Sequence, residues 1–151
     1  MKRMETEKTN SDQKSVPKIP EIGILLCFSG ASNSGWLTGL AAINVLKECE
    51  GDIVGICSLP SLVNRIERQL AITKRLKHLV VVDGCQNSCS KKIADGLGLK
   101  YNAYINLETS LGIKKLGPFT TLKYSEEDLD KATKAILHEI EVIQEASKGY
   151  R

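Results

Sequence analysis

The residues of this 151-residue chain best suited to chemistry are its five cysteines, Cys27, Cys49, Cys57, Cys85 and Cys89. A thiolate serves as nucleophile, redox centre or soft metal ligand. Cys85 and Cys89 stand four apart in VDGCQNSCSKK, residues 82–92. That spacing fits neither a CxxC zinc knuckle nor a thioredoxin-type pair. At a helix start, however, a four-residue offset places two side chains on one face, and the helix N-terminus favours the thiolates that metal binding and redox chemistry both need. The second chemical stretch is CFSGASNSGW, beginning at Cys27. Its Gly30 and Gly35 permit close backbone approach. Ser32, Asn33 and Ser34 offer hydroxyls and an amide at a helix start, so Ser32, Asn33 and Gly35 make a candidate anion or nucleotide cradle. A tight turn that needs small residues explains the same composition. GxGxxG and GK[ST] are both absent, which excludes the Rossmann dinucleotide fingerprint and the P-loop. Where a cysteine phosphatase would need Arg, the chain has Asn33.

These residues need elements to position them. The apolar runs IGILLC (Ile22–Cys27), DIVGIC (Asp52–Cys57), HLVVVD (His78–Asp83) and Ala103–Leu107 are short, rich in β-branched residues and bounded by turn formers, as buried strands are. Helical spacing connects them: WLTGLAAINVLKE, then LPSLVNRIERQLAITKRL with Ser61 as N-cap, then Ser88–Leu97. A long last helix follows Ser125, which forms a capping-box-like pair with Asp128. Its apolar stripe is Leu129, Ala132, Ile136, Ile140 and Ile143. Alternating strand and helix predicts an α/β three-layer sandwich, Rossmann-like, around a mostly parallel sheet of about four strands.

In a parallel sheet every strand ends on the same edge, where ligands bind. Cys27 and Cys57 close the first two strands, and Cys85 and Cys89 follow the third. Four thiols therefore fall on one rim. Zinc needs sulfurs at ~2.3 Å, and neighbouring strands lie ~4.8 Å apart, so loops from adjacent strand ends can converge on one ion. Strand order decides whether they do. Buried cysteine is also a common packing residue, the reading that suits Cys49. His78 and His138 lie away from this rim and read as surface or core residues.

Composition narrows the function classes. The apolar fraction of 42% and charged fraction of 26% are those of a globular domain. The net charge of +3 comes largely from the first twenty residues, and no basic patch interleaved with aromatics predicts nucleic-acid binding. Residues 1–20 read as a disordered tail and 21–151 as one domain. No segment has the length of a membrane span or the apolar core of a secretory signal. The expectation is a cytoplasmic protein whose cysteines are thiols or ligands and form no disulfide framework.

The segments CFSGASNSG, GICSLP, VVVDGCQNSCSKK and LETSLGIKK together resemble the DGC-domain family, named for the motif seen here as Asp83-Gly84-Cys85. The resemblance runs from about Ile22 to the last helix. It implies an α/β domain with clustered cysteines and zinc ligation by Cys27, Cys57, Cys85 and Cys89, with no reaction attached. In some relatives cysteines directly precede the Ser-Gly-Ala segment and occupy the Ser32 position. Here Phe28 intervenes and Ser32 carries an oxygen, which leaves a three-cysteine site with an open fourth position as one outcome. On the zinc reading Asp83 fixes the Gly84–Cys85 turn, and Lys91 or Lys92 offsets thiolate charge. An iron–sulfur cluster is a variant of that reading. A thiol redox or sulfur-handling enzyme using Cys85 and Cys89 is the alternative. A small anion, a protein partner or a second copy of the chain stays open as a partner.

Overall fold

The computed structural model describes residues 18–50 and 52–149; the expected tail, apart from residues 18–20, lies outside them. Four strands, β1 (Ile22–Leu26), β2 (Val54–Ile56), β3 (His78–Asp83) and β4 (Ala103–Asn106), form one parallel sheet in the order β2-β1-β3-β4. All five residues of β1 are buried. That fits the central position of a strand covered on both faces, where period-2 alternation disappears.

Helix α1 (Asn33–Glu48) leads from β1 out to β2. The chain then crosses back over β1 through α2 (Leu59–Val63) and α3 (Glu67–Lys74) to β3, and α4 (Cys89–Gly96) continues the same direction to β4. Right-handed crossovers that run in opposite directions must use opposite faces of a sheet. Two cores result. Ile22, Ile24, Leu26, Val80 and Val82 pack with Leu37, Ala41 and Val45 of α1 and with Ile136 and Ile140 of α5 (Glu126–Lys148). On the other face Leu25, Leu79 and Val81 pack with Leu62 of α2, Ala94 of α4 and Leu99.

The α/β reading and the parallel sheet hold, and Ser125 caps α5 by accepting from the Asp128 N–H at 3.1 Å. Three local expectations are corrected. The helix after β1 starts three residues before Trp36, because Ser32 caps it by accepting the Gly35 N–H at 3.2 Å. The segment expected as a single helix after β2 is broken at Asn64–Ile66, where Arg65 turns to φ 55. Ser61 therefore lies inside α2 and is not its cap. Between β4 and α5, residues 107–124 cross the sheet's C-terminal edge without a regular element. No helix among the described residues is long and apolar enough to cross a membrane.

Candidate thiol site at the switch point

The β1 exit feeds a helix on one face of the sheet, and the neighbouring β3 exit feeds a helix on the other. This divergence is the topological switch point of the fold, the place where open parallel sheets bind ligands. Asp83, Gly84 and Cys85 build its β3 side. The side chain of Asp83, 1% exposed, points to the α4 face. Its Oδ1 accepts the Ser90 N–H at 2.8 Å, and its Oδ2 accepts the Lys91 N–H at 3.0 Å and the Tyr104 hydroxyl at 3.2 Å. The nominal N-cap, Ser88, is left-handed (φ 53) and makes no capping bond, so Asp83 caps α4 from the strand. A carboxylate suits that position because it meets the positive end of the helix.

Gly84 lets the two loops touch. A Cβ there would stand 2.6 Å from the Ser34 carbonyl carbon and oxygen, and one on Gly35 would stand 2.5 Å from the Ser29 oxygen. Cys85 follows, its carbonyl accepting from Asn106 Nδ2 at 2.8 Å. The Nζ of Lys115 donates to Cys85 Sγ at 3.6 Å. Across the crevice, the Sγ of Cys27 lies 3.6 Å from the Thr38 hydroxyl, which also accepts the Phe28 N–H at 2.9 Å. Cys89, exposed on the first turn of α4, completes the group. Its thiol pKa is pushed up by partial desolvation, then by the Asp83 carboxylate and by the neighbouring Cys27 and Cys85 when they ionise, against a smaller opposing pull from Lys92. Lys91 is engaged elsewhere, paired with Asp95 at 2.9 Å. Of the two lysines expected to offset thiolate charge, Lys92 is the one felt by Cys89.

Cys57 stands apart from these three. It leaves β2 toward the α2–α4 face, and its Sγ packs where a Cβ on Gly23 would be, 2.9 Å away, among Leu76 and Leu79. Burial pushes its thiol up to about 11, with a hydrogen bond to Thr73 as a partial offset. Strand order explains the separation: β2 is the edge strand on the far side of β1, and Cys57 shares the face of Leu25 and not the crevice. Cys49 caps the C-terminus of α1 and packs against the first core, as a structural cysteine does.

The residues expected as an anion cradle make hydrogen bonds within the chain. Ser32, Asn33 and Gly35 are buried, and the Ser32 oxygen holds the Gly35 N–H. The Asn33 amide donates to the Lys114 carbonyl at 3.0 Å, and its oxygen accepts the Leu116 N–H at 3.0 Å. The Asn33 backbone N–H donates to the Thr120 hydroxyl at 3.2 Å. Asn33 thus straps residues 114–120 over the switch point and delivers Lys115 to Cys85. Sequence reasoning missed Lys115, Thr38 and Asn106 as neighbours of the thiols. Lys115 is 30 residues from Cys85 in an irregular segment, and no periodicity could have placed it.

Zinc in a closed site takes four ligands at about 2.3 Å. The donor chemistry of Cys27, Cys85 and Cys89 suits zinc. As their side chains lie, though, no three His, Cys, Asp or Glu among the described residues form a group that could hold a metal ion.

Fold and site define a parallel α/β domain with cysteines on both sides of its switch point and an Asp-Gly-Cys turn at the centre. Residues 24–136 match the DGC domain model, and the chain belongs to that family. No curated protein matches the chain. No solved structure matches it either.

Proposed function

We propose that the protein binds a metal ion through Cys27, Cys85 and Cys89, and that the ion is zinc. The observation that carries this reading is the placement of three cysteines at the switch point: Cys27 beside Thr38 at the β1 exit, Cys85 in the Asp-Gly-Cys turn after β3 and Cys89 on the first turn of α4. Thiolates brought together here beside the Asp83 carboxylate would repel one another, and a divalent cation would turn that repulsion into attraction while it drew the protons off. Ligation requires side-chain rotation. A change of cysteine rotamer moves a sulfur by roughly 3 Å, and the half-buried Cys85 and exposed Cys89 are free to make it. Lys115 then balances charge at Cys85, and Cys57 stays outside the donor set. Zinc held by three thiolates supplies an electrophilic centre with a fourth position for an exogenous ligand.

The test is elemental analysis together with a thiol count on protein purified without chelators. About one equivalent of zinc is expected, retained in Cys57→Ser and lost in Cys27→Ser, Cys85→Ser and Cys89→Ser. Less than about a tenth of an equivalent of any metal, with every thiol titratable, overturns it. A brown protein with visible absorption would assign the same ligands to an iron–sulfur cluster.

The contact of Lys115 with Cys85 favours a second reading, thiol–disulfide exchange. Cys85 would attack a partner disulfide as the thiolate, and Cys89 would resolve the mixed disulfide. Cys85 and Cys89 are then oxidised to a disulfide, and two thiols are released on the partner. Reversible formation of a Cys85–Cys89 bond in metal-free protein, read by peptide mass, separates this reading from the first.

A further inference from the structure

The strap that delivers Lys115 also carries apolar side chains the fold does not use. Phe119 is 94% exposed and Leu122 is 78% exposed, with Leu116 half-exposed beside them. Phe119 also holds a φ of 60. A bulky residue is strained in that conformation, and Gly or Asn would relieve it. Among the described residues neither packing nor backbone preference accounts for Phe at this position, and such an outlier motivates a search for a role outside the domain. The tip is fixed in place: the Phe119 N–H donates to the Ala31 carbonyl at 2.7 Å, and the Thr121 hydroxyl donates to the Gly30 carbonyl. Around the tip stand Lys114, Lys115 and Lys123, and the sequence has no acidic residue between Glu108 and Glu126. Among the described residues none of these lysines makes an ion pair with a carboxylate.

We propose that residues 114–123 dock the protein on an anionic membrane surface, with Phe119 and Leu122 entering the headgroup boundary and Lys114 and Lys123 meeting lipid phosphates and carboxylates. Three projecting side chains bury on the order of 400 Å², well under the ~800 Å² per partner of a stable protein interface. A bilayer surface accepts such a tip without a complementary pocket, and cationic flanks strengthen the contact with anionic lipid. A second copy of this chain is a poor occupant, because a twofold contact here sets lysines against their own counterparts. Docking in this pose turns the neighbouring β1 exit, and with it the crevice mouth, toward the membrane.

The experiment is flotation of the full chain with phosphatidylcholine vesicles and with vesicles containing about 30 mol% phosphatidylserine. Binding is expected only to the anionic vesicles and should weaken with added salt. Each of Lys114→Gln and Lys123→Gln should lower partitioning about fivefold, and Phe119→Asn with Leu122→Ser should abolish it. Asn is chosen because it tolerates the left-handed φ. All four side chains are exposed, so circular dichroism should match the parent, and the lysine variants leave packing untouched in any case. No binding to anionic vesicles at low salt overturns the proposal. Binding that ignores both pairs of substitutions overturns it as well. A dimer abolished by Phe119→Asn, with no vesicle binding, would assign the tip to self-association instead.

Discussion

Gly84→Ala tests how the switch point is built, because two physical arguments predict opposite signs for it. Gly84 is not among the glycines with positive φ, which are Gly98, Gly112 and Gly117. Its backbone therefore accepts alanine, and the lower entropy of the unfolded chain alone would stabilise the variant by about 0.4–1 kcal/mol. Packing says otherwise. The new Cβ would stand 2.6 Å from Ser34 carbonyl atoms and 2.8 Å from the Gly35 nitrogen, about 0.8 Å short of ordinary contact. Both neighbours are backbone at the start of a buried helix, so no side chain can swing aside. Overpacking of this kind costs about 1–3 kcal/mol. The expected outcome is a net loss, seen as a fall of roughly 1 M in the urea midpoint under reducing conditions. Gly96→Ala, in open space at the end of α4, is the control and should gain up to about 1 kcal/mol. Forcing the loops apart should also change the rates at which Cys27 and Cys85 react with a chromogenic disulfide. A midpoint for Gly84→Ala at or above the parent value refutes the close-contact account of the motif.

Other substitutions read other joints. Asp83→Asn replaces a carboxylate that accepts three hydrogen bonds with an amide that matches fewer of them, and should cost about 2–4 kcal/mol. Faster amide exchange at Ser90 and Lys91 would accompany the loss, and unchanged exchange would remove Asp83 as the cap of α4. Asn33→Ala unties the strap at Lys114, Leu116 and Thr120; tryptic cleavage at Lys114, Lys115 and Lys123 should accelerate, and an unchanged rate would locate the anchor elsewhere. In metal-free protein Cys57, with its thiol pushed up to about 11 by burial, should be alkylated more slowly than Cys27, Cys85 and Cys89 at pH 8. A raised folded value means the protonated thiol stabilises the fold fully below the ordinary thiol value and loses that contribution as pH climbs toward 11. The stability gap between the parent and Cys57→Ala should therefore narrow between about pH 9 and 11; a constant gap would show that Cys57 does not charge there.

The strands were legible because β1 and β3 are buried on both faces, which writes continuous runs such as IGILL and HLVVV into the chain. Placing cysteines at the strand ends followed directly, since parallel strands share one exit edge. What the runs do not carry is lateral order. Nothing in the string says that β2 is an edge strand beyond β1, or that its register sets Cys57 level with Leu25 and so toward Leu76 and Leu79, while Cys27 faces Thr38. The direction of a side chain at a strand exit depends on where the turn begins, and Phe28, at φ 39, turns the chain directly after Cys27. The Ser32-Asn33-Gly35 group is ambiguous for a related reason. A helix start rich in caps looks the same whether its groups hold a ligand or, as here, a distant segment of the same chain.

That distant segment makes the thiol crevice a joint property of three parts of the sequence. Asp83 fixes α4 and so the position of Cys89, while Gly84 brings the Cys85 turn against the start of α1. Asn106 holds the Cys85 carbonyl from β4. Asn33, on the β1 side, sets the strap that places Lys115 on Cys85. A change at Asn33 should therefore reach Cys85 through Lys115, although the two residues belong to different loops. Measured as Cys85 alkylation rate in metal-free protein, Asn33→Ala and Lys115→Gln should shift reactivity in the same direction, and combining them should add little, as expected of residues acting through one contact. Additive effects would mean that Asn33 acts on Cys85 by another route, through the Ser34–Gly84 contact at the start of α1.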